Sequence, residues 1–328
     1  MSSDNPTPTP GGPTRRPSLD ETGELPRFLD SATSDEPIGN VKPEGDLAGR
    51  RFPLTTGFSA LVRNRHALST LIRRDLAVKY QATVMGYFWS LLEPLGMAFI
   101  YFFVFGIVMG ANDKDVVPGS DASFVLYIVS GVFVWQWFSA AVTQAANSLG
   151  GQSALITVMK VPREVFPISV VFARFAEYLA GFPIIIIIAA TFGHGVFGWN
   201  LLWILPAILL QAMTLVGIGF MLAAGNVLVR DIQRFLPLVM RMLFYGSAIL
   251  FTMDRVSDSG LGQKLPWVTY LYEHNPLVVL FQMHRAVWIP GLAPDQVGIM
   301  SATFFAVIMM FLGRWVFYKL EPRVLKAL

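Results

Sequence analysis

The stretch ALITVMKVPREVFPISVV, Ala154 to Val171, is apolar enough for a buried or membrane helix, yet Lys160, Arg163 and Glu164 interrupt it and Pro162 and Pro167 bracket the charges. A charged side chain at the centre of a membrane helix costs about 3 kcal/mol on insertion scales. The stretch is therefore no span, and it separates the apolar run before it from the one after. Which side of the membrane it lies on, and what covers its apolar residues, sets the threading of the whole chain.

The rest of the sequence makes that membrane reading secure. Of 328 residues, 54% are hydrophobic and only 14% charged. Soluble domains average about 25% charged residues. The deficit points to a polytopic membrane protein rather than a large-cored soluble one. The chain has no cysteine, which excludes disulfides, zinc–thiolate sites and thiol nucleophiles.

Residues 1–49 form a separate region, rich in Pro, Ser, Thr, Asp and Glu and nearly free of aromatics. Such a composition buries too little apolar surface to fold alone, so a disordered cytoplasmic tail is expected. It lacks the apolar core of a signal peptide. Its net charge is −5 against +3 for the chain, so residues 50–328, the expected membrane domain, are basic.

A helix needs about 20 apolar residues to cross the hydrocarbon core. Six runs qualify: Gly86 to Gly110, Phe124 to Leu149, Phe166 to Phe192, Leu201 to Leu228, Phe235 to Met253 and Val297 to Tyr318. The expected fold is an all-α integral membrane protein with six transmembrane helices. Arg50, Arg51, Arg63, Arg65, Arg73, Arg74 and Lys79 precede the first run, Lys160 and Arg163 follow the second, RDIQR follows the fourth, and Lys319, Arg323 and Lys326 follow the last. The intervening short loops, ANDKDVVPGSD and GHGVFGWN, are net acidic or free of Lys and Arg. By the positive-inside rule both termini, and the opening stretch, are cytoplasmic. Trp199, Trp203, Trp267 and Trp288 then fall near outer boundaries, where an aromatic belt belongs.

Two segments are not simple spans. In ALSTLIRRDLAVKYQ, Ala67 to Gln81, Leu68, Leu71, Ile72, Leu76, Val78 and Tyr80 share one helical side, and His66, Thr70, Arg73, Arg74 and Gln81 the other. Lying just before the first span, this amphipathic helix suits the cytoplasmic interface, its basic face toward anionic headgroups; an ordinary cytosolic amphipathic helix would show the same pattern. Asp75 and Lys79 fall on its apolar side as an i,i+4 acid-before-base pair, suited to face protein rather than lipid. LPWVTYLYEHNPLVVLFQMHRAVWIPG, Leu265 to Gly291, is too broken by Pro and charge to span, and reads as two short re-entrant-like helices on the outer side.

No G-x-x-x-x-G-K-[ST] phosphate loop occurs, so no ATP hydrolysis is expected on this chain. SLGGQ, Ser148 to Gln152, imitates an ABC-ATPase signature but has no nucleotide-binding domain around it. DKD, Asp113 to Asp115, imitates a sugar-transferase metal motif, yet two acids in a short loop are usually just solvated. The four histidines show no metal-ligand spacing. Charges inside spans are more telling. Arg174 and Glu177 share one face of the third span, Arg241 lies in the fifth, and Glu93 precedes Pro94 in the first. A polar lining of a substrate path and a packing-fixing ion pair both fit them. Tyr101, Phe105, Trp135 and Trp137 are candidate lining aromatics, since sugar faces pack on such rings; lipid-facing and core positions explain most aromatics in these two spans, these four among them. GIVMG, Gly106 to Gly110, permits close helix approach, within a subunit or across a dimer.

Four motifs, in order, carry a resemblance. LIRRDLAVKYQATVMGYFWSLLEPL, Leu71 to Leu95, resembles the entry segment of type-2 ABC exporter permeases that move cell-envelope polysaccharides, with Gly86, Trp89, Leu92, Pro94 and Leu95 in the pattern G-x-x-W-x-x-L-x-P-L. Pro162, Arg163, Glu164 and Pro167 match their P-R-E-x-x-P run, NVLVRDIQRFLP resembles their turn before the fifth span, and Asn275, Pro276 and Arg285 match their outer segment. The resemblance covers about Arg63 to the C-terminus. Members export O-antigen, teichoic acid or galactan, and the general look here is closest to the galactan exporters.

The resemblance implies a homodimer in the inner (plasma) membrane, bound to two copies of a separate ABC ATPase that carries the ATP and magnesium. A lipid-linked polysaccharide would pass between the halves, among membrane lipids, with no cofactor on this chain and no nucleic acid. Lys160, Pro162, Arg163, Glu164 and Pro167 would couple to the ATPase, Arg73, Arg74, Asp75 and Lys79 would sit on the interface helix, and Trp267, Asn275, Pro276 and Arg285 on the outer segment. The alternatives are a same-fold exporter of a drug or lipid and a membrane-embedded glycosyl or acyl transferase.

Overall fold

The computed structural model describes residues 64–81, 83–110, 123–158, 162–192, 198–252, 260–289 and 291–327. The tail over residues 1–49, the Asp113–Asp115 motif and Lys160 lie outside the described residues.

Every regular element among the described residues is helical. Helix α1 (Arg65–Tyr80) leads, through a 3₁₀ turn at Gly86–Phe88, into α2 (Trp89–Tyr101) and a π segment at Phe102–Val108. Then come α3 (Phe124–Ala146), the short α4 (Ser153–Val158), α5 (Val165–Ala180), α6 (Phe182–Phe192), α7 (Ile204–Leu228) and α8 (Ile232–Gly246). The short helices α9 (Gly260–Lys264), α10 (Pro266–Glu273) and α11 (Pro276–Ala286) precede the long α12 (Gln296–Ala327).

Local sequence explains where several helices start. The Ser123 hydroxyl accepts the Val125 N–H at 3.2 Å and opens α3. Asn275 caps α11 by accepting the Leu277 N–H at 3.0 Å, with Pro276 in the first turn, where a missing donor is harmless. Asp295 caps α12 through the Gly298 N–H at 2.9 Å. The expected third span is two helices rather than one. Pro183 has no N–H to continue the ladder, and Gly181, at the joint, lies against the Phe133 ring, which a Cβ there would overlap.

Among the described residues, five helical segments are long and apolar enough to cross a bilayer: Gly86–Val108, Phe124–Ala146, Val165–Thr191, Trp199–Leu228 and Gln296–Ala327. The expected fifth span, Phe235 to Met253, differs. Its helix α8 has 15 residues, roughly 22 Å at 1.5 Å per residue, short of a core of about 30 Å. The physical cause is side-chain capture of its would-be continuation. Ala248 adopts φ 52, and the Ala248 and Ile249 carbonyls accept from Arg285 at 2.7 Å each, so the ladder stops.

Helix α3 is the hub, packed against α2, α5, α6, α7, α8 and α11. One apolar core surrounds it, with Phe133, Trp137, Phe138, Phe166, Phe220 and Phe281 at its centre. A smaller cluster joins α7, α11 and α12 through Ala207, Leu210, Val279, Leu280, Met283, Ala302 and Ala306. Helix α12 lies mainly along α7. At their crossing, a Cβ on Gly217 would overlap the Met309 carbonyl, and one on Gly313 the Gly217 carbonyl. Backbone therefore meets backbone, as small residues permit. Within the chain the GIVMG stretch makes no such crossing. Gly110 has φ +68 and open space around it, and Gly106 faces the Phe102 and Phe124 rings. Of α2 only Pro94 and Ala98 are buried; Phe99 and Ile100, and Phe103, Ile107 and Val108 of the π segment, are exposed.

Candidate functional site

The opening stretch resolves into α4, then the turn Pro162–Glu164, then α5. Its two described charges are turned onto α12. Glu164 is gripped by Arg314, Nη2 to Oε1 at 3.0 Å and Nη1 to Oε2 at 3.2 Å. This is the two-pronged geometry that makes arginine–carboxylate pairs strong. Arg163 Nη1 meets Glu321 Oε1 at 3.0 Å. Burial pushes the Glu164 carboxyl above its ordinary range, the Arg314 guanidinium pulls it back, and Glu321 adds to the upward push. Pro167 is buried in the first turn of α5, and Pro162 is half-buried.

A second cluster joins α1 to α5. Glu177 accepts from Lys79 Nζ at 3.1 Å on each oxygen, and from the Tyr80 hydroxyl at 2.6 Å. Arg174, fully buried, pairs with the same carboxylate from one turn earlier. Lys79 and Asp75 therefore do not pair with each other: Asp75 Oδ1 accepts from Arg74 at 3.1 Å and Gln152 at 3.4 Å. Both face protein, as their position on the apolar side requires. On that side Leu71 and Tyr80 are buried and Val78 is exposed, while Arg73 is exposed on the basic side. Beside this cluster lies a small open cleft bordered by Lys79, Glu93, Pro94, Trp137, Arg174 and Glu177, with Tyr178 behind them.

The candidate lining residues thus fall in two places. Glu177, Arg174 and Trp137 share the pocket, but Trp137 is otherwise locked, stacked on Tyr178 at 5.2 Å and donating to the Val171 carbonyl at 3.4 Å. Tyr101 and Trp135 instead meet on Phe244 of α8, each ring 5.3 Å from it, and Phe105 packs half-buried on the core.

Helix α11 carries a third cluster. Arg285 Nη1 donates to the Tyr127 hydroxyl at 2.9 Å, and its side chain lies across Gly131 of α3, where a Cβ would collide with it. Trp267 is exposed, as a belt residue is, and so is Trp199; Trp288 is buried against Phe182 at 5.6 Å and belongs to the core.

Sequence reasoning missed Arg314, Glu321, Tyr127 and Gly131. A charge within the last apolar run was signal enough for Arg314. For Tyr127 and Gly131 the only signal is the volume of a guanidinium that is remote in sequence.

Helices of bilayer length, short broken helices between them, and charged side chains tied from helix to helix define a polytopic integral membrane protein. The chain belongs to the ABC-2 type transporter family, whose pattern matches residues 66–289. It is 30% identical over 264 residues to an O-antigen export system permease protein of Klebsiella pneumoniae, covering 80% of this chain and 94% of that one. A protein of the same description from Myxococcus xanthus is 23% identical, covering 78% and 93%. The polysialic acid transport protein KpsM of Escherichia coli is 22% identical, covering 79% and 95%.

Proposed function

We propose that this chain is the membrane permease of an ATP-driven exporter that moves a lipid-linked cell-envelope polysaccharide, O-antigen-like or galactan, from the cytoplasm to the outer side of the inner membrane. The observation that carries the proposal is the similarity, over 80% of this chain and 94% of the relative, to a protein named for O-antigen export. Family membership and the absence of a phosphate loop from the sequence support a separate ATPase partner. In this reading two copies of the chain assemble with two ATPase subunits, and α8 with residues 247–252 completes a sixth crossing. Both termini are cytoplasmic. The Pro162–Pro167 turn, with Lys160, receives the motion of ATP binding, and α1 moves with it. The Glu177 pocket and the Tyr101–Trp135 aromatics are candidate parts of the path.

Depletion of the chain tests the function. Lipid-linked glycan should accumulate on the cytoplasmic side, and an ABC ATPase should copurify with the tagged permease. Normal surface glycan after depletion overturns the proposal and favours an exporter of a drug or lipid. Loss of activity on replacing Asp113 and Asp115 by alanine, without loss of assembly, would favour a transferase.

A further inference from the structure

Residues 163 and 164 are neighbours in one turn, and their partners on α12, Glu321 and Arg314, are seven residues apart. Seven residues are two helical turns, about 10 Å along one face. Two adjacent charges thus hold two points, two turns apart, on a single helix face. Side-chain exposure grades along it: Arg314 is 4% exposed and Glu164 16%, whereas the Arg163–Glu321 pair is about one-third exposed on both sides. The inner pair is the firm one, being buried and two-pronged. The outer pair is solvated and weak. One residue from Arg314, Gly313 lies against Gly217 with no side chain between the backbones. The grip therefore passes from the turn to α12 and, through that crossing, to α7.

We infer that Arg314 is a positioning residue for coupling. It ties the Pro162–Glu164 turn to α12 and α7, so that displacement of the turn moves two long helices together rather than being absorbed locally. This rests on the proposed function, in which the turn receives motion from an ATPase. Packing alone does not require such a link. Turn and helix could touch through apolar residues and slide. A two-pronged ion pair with a second one two turns away resists both sliding and rotation.

The test uses the full permease with its ATPase, reconstituted in lipid, comparing Arg314→Gln, Arg314→Lys and the exchange Glu164→Arg with Arg314→Glu. Assembly, ATPase rate and glycan export are measured on each. Arg314→Gln should keep assembly and ATPase rate within about twofold while export per ATP falls about tenfold, a difference of 1.4 kcal/mol in coupling. Arg314→Lys, which keeps charge but loses the fork, should be intermediate, and the exchange should recover at least part of the loss. Unchanged export per ATP in Arg314→Gln overturns the inference and leaves the exporter reading standing. So does a loss of export and ATPase in strict proportion to folded complex, unrelieved by the exchange. If the native complex shows no ATP-dependent export, both readings fail together.

Discussion

The Arg285 guanidinium sits 3.7 Å from the centre of the Tyr127 ring and donates to that residue's hydroxyl at 2.9 Å. The hydroxyl in turn donates toward the Phe251 carbonyl at 2.7 Å. With the Ala248 and Ile249 carbonyls accepting from Arg285, the cation holds the irregular end of α8 with no carboxylate in contact among the described residues. Partial charges from carbonyls, a phenol and a ring face replace a counter-ion.

Arg285→Met keeps much of the volume and removes the donors. The Ile249 carbonyl then loses its Arg285 donor and the Ala248 carbonyl keeps the Tyr127 hydroxyl at 3.1 Å, at a cost of about 1–3 kcal/mol. Thermal unfolding in detergent should show a clearly lower midpoint, with only partial recovery in Arg285→Lys. An unchanged midpoint would show that the α8 end is held by other contacts.

Gly217→Ala and Gly313→Ala force a methyl into backbone across the α7–α12 crossing. The cost should be about 1–3 kcal/mol or more, because a carbonyl cannot rotate away as a side chain can. Gly96→Ala, a site inside α2 with nothing within 4 Å of the new methyl, is the control. It should be neutral or stabilising by about 0.5–1 kcal/mol. Equal effects at the three sites would refute the close crossing.

Replacing Glu177 by Gln leaves Lys79 and Arg174 without their shared anion. The C-terminal turn of α1 should loosen, and hydrogen exchange of its amides should speed up about tenfold. Exchange at α3 should hardly change. No acceleration in α1 would mean that Tyr80 and Leu71, by burial alone, hold it in place.

The His274–Asp295 tie gives a pH dependence outside the spans. Burial lowers the His274 pKa, but the Tyr270 carbonyl at 2.8 Å and the Asp295 carboxylate at 3.3 Å outweigh it, so the net shift is upward. A raised value in the folded state means stability that is full below the ordinary histidine pKa and lost as pH rises through the raised one. Asp295 is shifted down, first by the Gly298 N–H. Its contribution is present above the ordinary carboxylate pKa and lost as pH falls through the lowered one. The stability gap between the native chain and His274→Gln should therefore be widest in mild acid and close with rising pH. A constant gap from about pH 5 to 9 would contradict it.

Sequence pattern predicted the helices well because hydropathy is a local property. Spans one, two and four, and the short helices α10 and α11, lie where apolar runs and prolines put them. The broken α8 was illegible, since its cause, Arg285, is remote in sequence and looked like a mere motif match. The partners of Arg163 and Glu164 were hidden for the same reason. Their charges read as free for a partner protein, whereas α12 takes both. Glu177 was singled out by its cost within a span, yet the convergence of Lys79, Tyr80 and Arg174 on it required the packing of α1 against α5.

The π segment at Phe102–Val108 is bonded one residue further along than an α-helix, as in the Met109 N–H to Val104 carbonyl bond at 2.9 Å. It acts as a dislocation in a one-dimensional lattice. Side chains beyond it are turned relative to those before it. Residues 86–110 therefore have no single helical wheel. Trp89, Leu92 and Phe99 belong to one set of faces, and Ile107 and Val108 to another, so any surface that fits the first set must twist to follow the second.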